Sequence, residues 1–392
     1  MGMRFSVTAG EHASPVHRAS LALLATCLLA PSALVAGCSD DADPADSREH
    51  YSVLDAIGEL PASIEGDAPL IFTGDLTRAS EIAGLNRPTD ADSDEVNAWV
   101  ADLTAAPDPD ETARVFVPLP GALIPWESPP ADMDAQVGWS VVDVESFVAL
   151  TQPPEHFLVV SGDFDDDTLD EDLSEVEGGV VTDVEGADLE QNLLEPTAFS
   201  RVGAPTRLAE DDGRIAASST TDAVRDWLDG DVSLADDEGY ADVATALDEH
   251  EVYAAVLSGV QTGIDPAGLI LGSQGSAEEL QALREQLEDE LPEASYDTVG
   301  IAWSADDQAP LVATAYHFSS EADAENSADP LRELYESGTS VESQRPFSDY
   351  LTVENVEVQG SVVVVTSRPA EDVAINFAYQ ALLQRDLLFI SR

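Results

Sequence analysis

The 392-residue chain carries 78 Asp and Glu against 16 basic residues, every one of them arginine, for a net charge of −62. Phosphate backbones are gripped by clustered Lys and Arg, so nucleic acid is excluded as a partner class, and adsorption to anionic lipid headgroups is disfavoured by the same repulsion. An acidic surface without lysine is one whose self-repulsion is relieved by salt or divalent cations.

Residues 1–37 read as a cleaved leader. Arg4 and Arg18 outweigh Glu11 over residues 1–18, and the apolar run from Ala19 to Gly37 is rich in small residues and broken by Pro31, which makes it a poor permanent span. The run closes on Val35-Ala36-Gly37-Cys38, which resembles the lipobox of bacterial membrane lipoproteins. That resemblance implies cleavage between Gly37 and Cys38, a thioether-linked lipid on Cys38, and retention at the outer face of the cell membrane through that lipid. One acyl chain holds weakly and two or more hold stably. Cys27 falls within the discarded run, so Cys38 is the single cysteine of residues 38–392 and no intrachain disulfide is expected. Residues 38–50, dominated by Asp, Ala and Ser, read as a disordered acidic tether.

Order begins near Tyr51, where Val53, Leu54, Ile57 and Leu60 predict a short helix. The strand Pro69–Thr73 runs into Gly74-Asp75 and a helix through Leu76, Ala79 and Ile82; a second helix, Ser93–Ala105, carries Val96, Trp99, Val100 and Leu103 on one face. Residues Pro107–Met133 read as a proline-rich loop with a short strand at Val115–Val117. Gly138–Asp143 predicts a strand and Val144–Leu150 a helical turn. His156–Gly162 predicts a strand, followed by an acidic helix over Thr168–Glu175; Leu158–Asp163 echoes Leu70–Asp75, which suggests a duplicated strand, Gly-Asp, helix element. Gly179–Val184 and a hairpin over Thr206–Ser218, turning at Asp211-Asp212-Gly213, add strands. Helices over Thr221–Leu228 and Ser233–Leu247 and a strand at Val252–Leu257 complete an expected domain, residues 51–260.

The Gly-containing connection Gln261–Gln274 predicts a boundary, and residues 261–392 form the second expected domain. It contains a helix over Ala277–Leu291, a hairpin of Thr298–Trp303 with Pro310–Phe318, a helix over Glu321–Glu336 interrupted at Pro330, a hairpin turning at Gln359-Gly360, and a final helix from Ala370 to about Leu388. Hairpins alternating with helices predict an α+β fold, a mostly antiparallel sheet with helices packed on one face in repeated hairpin–helix units of ferredoxin-like character. This pattern departs from the βαβ alternation of a parallel sheet.

Chemistry is sparse against the acidic background. Asp163, Asp165 and Asp167 occupy the alternating positions of a calcium loop, but Thr168 stands where that loop needs glycine and Ser174 where it needs glutamate, so helix capping is the simpler reading. His50, His156, His250 and His317 lie at no zinc-ligand spacing, and no metal site or cofactor is expected. Neither a nucleophile elbow nor a phosphate loop occurs. A carboxylate pair for glycoside hydrolysis stays open, and a close pair within a pocket would mark it. Trp126 and Trp139 flank the proline-rich loop and are expected in the core. The expected function is non-catalytic: a lipid-anchored binding or interaction module at the cell envelope whose partner is an envelope protein or a small-molecule ligand. The alternative is the substrate-binding lipoprotein of an uptake transporter, which calls for two parallel βαβ lobes around a cleft.

Overall fold

The structure is a computed structural model that describes residues 51–392 except 64–67, 93, 106–112, 166, 231, 261–266, 269–275 and 307–308. The leader, Gly37, Cys38, the tether and His50 thus lie outside the described residues, as does most of the expected boundary connection.

Among the described residues, twelve strands form one sheet. They are β1 Leu70–Asp75, β2 Val144–Gln152, β3 Glu155–Gly162, β4 Ser174–Glu177, β5 Val180–Thr182, β6 Arg207–Asp211, β7 Arg214–Ser218, β8 Ala254–Gly259, β9 Tyr296–Ala305, β10 Pro310–Phe318, β11 Leu351–Gln359 and β12 Val362–Pro369. Their order is β11-β12-β10-β9-β8-β1-β2-β3-β7-β6-β5-β4, and every ladder is antiparallel. The helices are α1 Val53–Gly58, α2 Leu76–Ala83, α3 Asp94–Leu103, α4 Pro130–Val137, α5 Thr221–Asp229, α6 Glu238–Asp248, α7 Ala277–Glu290, α8 Glu321–Ser337 and α9 Phe377–Leu383. The α+β class and the antiparallel sheet are as the hairpin pattern predicts.

Helices cover both faces rather than one. Ile71, Leu150, Phe157, Val159, Leu257 and Val364 bury one face under α1, α5 and α6; Phe72, Phe147, Val160, Ile301, Tyr316 and Val363 bury the other under the remaining helices. The strands explain this. In β12, Val362 through Val365 are all buried, so both side-chain directions need cover. Among the described residues, no helix is long and apolar enough to cross a membrane.

The sheet contains one arrangement twice. β1, β2, β3, β7 and β6 lie side by side in the same sequence as β8, β9, β10, β12 and β11, and each set ends in a hairpin with a two-residue turn, Asp212-Gly213 or Gly360-Ser361. The sets abut through β1 and β8, whose ladder pairs Phe72 with Val256, so a pseudo-twofold axis passes between those residues. Following the registers outward, it relates Leu150 to Ala302, Val160 to Tyr316 and Ala217 to Val365, each pair on the same face. The expected division after residue 260 falls between β8 and β9, which pair continuously from Ala254↔Trp303 to Gly259↔Thr298, and residues 50–392 cluster as a single compact unit.

Several elements differ from the sequence expectation, each for a local reason. Residues 168–173 form no helix and 174–177 are strand β4, so the duplicated strand–helix unit is not at Leu158–Asp163. There the Asp165 and Asp170 carboxylates accept the backbone N–H of Asp167 and Asp172, and Leu169 N donates to Glu210; such local bonds compete with a helix. Residues 138–143 are a turn closed by Ser140 N donating to Asp143, and Val144–Gln152 is the strand. The loop assigned to Pro107–Met133 contains the start of α4, with Pro130 at its first turn, where a missing N–H is harmless. Val115–Val117 is buried but is not a strand. Helix α8 continues through Pro330, and the C-terminal helix is only Phe377–Leu383, preceded by Asp372 at φ 67°.

Candidate functional site

The four histidines expected outside the leader do not converge. His50 lies outside the described residues, and His156 is exposed on β3. His250 Nε2 stands 3.3 Å from Glu357. His317 is 9% exposed and held between two carboxylates, with Nδ1 2.7 Å from Asp297 and Nε2 3.7 Å from Asp242. Ser361 Oγ donates to the same Asp242 oxygen at 2.7 Å instead of to the imidazole, so no Ser–His hydrogen bond is made here.

The carboxylates of Asp75, Asp183 and Asp248 are pushed above their usual range, first by burial. Each is committed to backbone N–H donors, respectively of Arg78, Thr206 and Val53 with Leu54. None lines a cavity described below. Burial likewise pushes the Tyr335 phenol up to about 12, where it shares a 2.8 Å bond with Tyr316. The described residues of the acidic run Asp163–Asp172 form no helix or strand, and among the described residues no group of three or more His, Cys, Asp or Glu is placed to hold a metal.

Two loops instead build a cleft of about 610 Å³, lined by Glu127, Pro129, Asp132, Gln136, Thr197 and Arg201 among others. One is the turn before α4; the other, residues 192–203, belongs to the connection between β3 and β6 and has no counterpart after β10, where α8 takes its place. This second loop is closed on itself by Asn192 N→Gly203 O (3.2 Å) and Gly203 N→Ser200 O (3.0 Å). Gly203 sits at φ 63°, and a Cβ there would lie 2.1 Å from Asn192 O, so no other residue fits. Ala198 N donates to Gln136 of α4, Phe199 packs on Trp139, and Arg201 donates to the carbonyls of Trp126 and Glu127.

A rigidly held backbone here displays apolar side chains to water: Leu193 is 72% exposed, Leu194 91% and Trp126 51%. Trp139 is fully buried as expected, whereas Trp126 is not the core residue its sequence context predicts. No periodicity separates the two, because both lie in irregular backbone.

A smaller cavity, about 250 Å³, lies at the Leu70–Ser258 end of the β1–β8 ladder and is lined by Leu70, Ser258, Val260, Leu383, Arg385 and Phe389 among others. Helix α9 ends beside it in a Schellman motif, with Arg385 N donating to Leu382 O and Asp386 N to Ala381 O. Arg385 occupies the left-handed position at φ 53°, where α2, α4 and α5 use Gly84, Gly138 and Gly230. A side chain there costs about 1–2 kcal/mol. Sequence reasoning missed both cavities, since neither loop nor helix-end residues carry a periodic signal.

No protein-family model, curated protein or solved structure matches this chain.

Proposed function

We propose that this chain is a lipid-anchored protein of the outer face of the cell membrane whose folded part is a non-catalytic binding module, and that it meets another envelope component through the cleft between residues 121–136 and 192–203. One observation carries the reading: Trp126, Leu193 and Leu194 are exposed on loops whose backbones are internally bonded and pinned to α4. Burying a leucine side chain is worth roughly 1.5–3 kcal/mol, so a partner that covers these side chains gains where the isolated chain loses. The anchor rests on Val35-Ala36-Gly37-Cys38 and on a net charge of −62, which repels the bilayer and leaves adhesion to the lipid on Cys38.

The uptake-transporter reading draws less support, because its parallel βαβ lobes have no counterpart in a sheet whose ladders are all antiparallel. Catalysis by paired carboxylates draws less too, because the raised carboxylates are bound to backbone N–H groups and none of them is among the residues that line the cleft.

The test places a photo-crosslinking residue at position 194 of the full-length chain in the cells that make it. A discrete adduct in the membrane fraction is expected, lost with Trp126→Ala and lost together with membrane retention in Cys38→Ser. An identical adduct from position 354, on the opposite sheet edge, would overturn the assignment of the cleft.

A further inference from the structure

We propose that the cavity at the end of α9 is a binding site for a monocarboxylic acid with a short unbranched apolar tail, its carboxylate held by Arg385. The walls set the tail: Leu70, Val260, Leu382, Leu383, Phe389 and Ile390 are apolar, and Leu383 is left 48% exposed at the mouth. The charge sets the head. In a chain with 78 acidic residues among 392, none of the described lining residues is acidic, and its single charged group is a cation.

Arg385 is also free to act. Arg207 is paired with Asp188, Arg214 with Glu59 and Asp211, and Arg368 with Asp306 and Glu354. The Arg385 guanidinium has no partner among the described residues, and the neighbouring Asp386 carboxylate is turned inward to accept from Ser340 Oγ and from the N–H of Val341 and Leu387. A planar guanidinium fork matches a carboxylate with two parallel hydrogen bonds. The left-handed backbone points the same way. A glycine would relax φ 53° at this helix end, yet an arginine is held there.

The pseudo-twofold axis supplies an internal comparison. It relates the Leu70–Ser258 pair that floors this cavity to the Ala254–Gly74 pair at the far end of the same ladder. Over that pair Val117 packs so closely that a Cβ on Gly74 would lie 2.9 Å from its Cγ1. One end of the ladder is thus filled by the chain's own apolar side chain, and the related end is roofed by an apolar cavity with a cation at its rim.

Calorimetric titration of the full-length chain with decanoate, kept below its micelle-forming concentration, tests this. Saturable one-site binding is expected, weakened about tenfold or more in Arg385→Gln, while decanol binds more weakly and is indifferent to that substitution. Arg385→Gly separates binding from folding: it should melt at or above the parent temperature and still lose decanoate. Absence of saturable binding, equal affinity for decanol, or unchanged decanoate affinity in Arg385→Gln would overturn the proposal.

Discussion

Asp248 fixes where the chain enters the fold. Its carboxylate, at the end of α6, accepts from Ser52 Oγ at 2.8 Å, Val53 N at 2.6 Å and Leu54 N at 3.2 Å, and so caps α1 from another helix. Burial pushes its pKa up while these bonds pull it down, so the acceptor atoms are useful and the charge is a burden. Asp248→Ala should therefore lower the unfolding free energy by about 1–3 kcal/mol. Asp248→Asn, which keeps an acceptor without the charge, should lose less than half of that in the same denaturant titration. A contact spanning 196 residues leaves no local trace in the sequence, and neither does the difference between Trp126 and Trp139 or the left-handed turn at Arg385. What was legible was the apolar content of the buried strands, which the exposed Ser174–Glu177 strand lacks.

Elements with strong local chemistry were read well. The hairpin at Asp212-Gly213 announces itself by its turn residues, as does the one expected at Gln359-Gly360, which turns one residue later at Gly360-Ser361, and α3 by the spacing of Val96, Trp99, Val100 and Leu103. The misread elements are those where tertiary partners overrule local preference: β2 is central in the sheet despite helical spacing, and residues 168–173 are held open by Asx-type bonds. Helix α8 retains Pro330 in its tenth position because Ala324, Ser327, Leu331 and Leu334 bury its face over β11 and β12. Packing thus compensates a missing hydrogen bond. Pro330→Ala should raise stability by about 1–2 kcal/mol, measured by urea unfolding with an unchanged slope. The open sheet edges are guarded differently. β4 exposes Glu175 and Glu177, and β11 carries a register shift at Val353/Asn355 beside Glu354, so neither offers a flat strand for pairing.

For the whole molecule, charge decides the response to pH. Asp75, Asp183 and Asp248 have raised pKa values in the fold, chiefly through burial, so they bind protons more tightly folded than unfolded; their contribution grows as pH falls through the raised values. Asp323 is held low by the Ser320 and Ser319 hydroxyls. Asp188, against a desolvation that raises it, is held low by Thr221 and Arg207; both contribute above the ordinary carboxylate range and lose that contribution as pH falls through their depressed values. Relief of the −62 charge acts in the same direction as the first group. The melting temperature should accordingly rise on acidification from pH 8 and peak between about pH 4 and 6, with a monotonic fall counting against this balance. The entry of the chain has a mechanical meaning as well. Tyr51 bonds Thr73 of β1 at 2.9 Å, and α1 packs over β1 and β2, near the middle of the twelve-strand sheet. A pull on the chain before residue 51 is therefore delivered to interior strands, which must shear against neighbours on both sides, whereas a pull on β4 or β11 would unzip one ladder at a time.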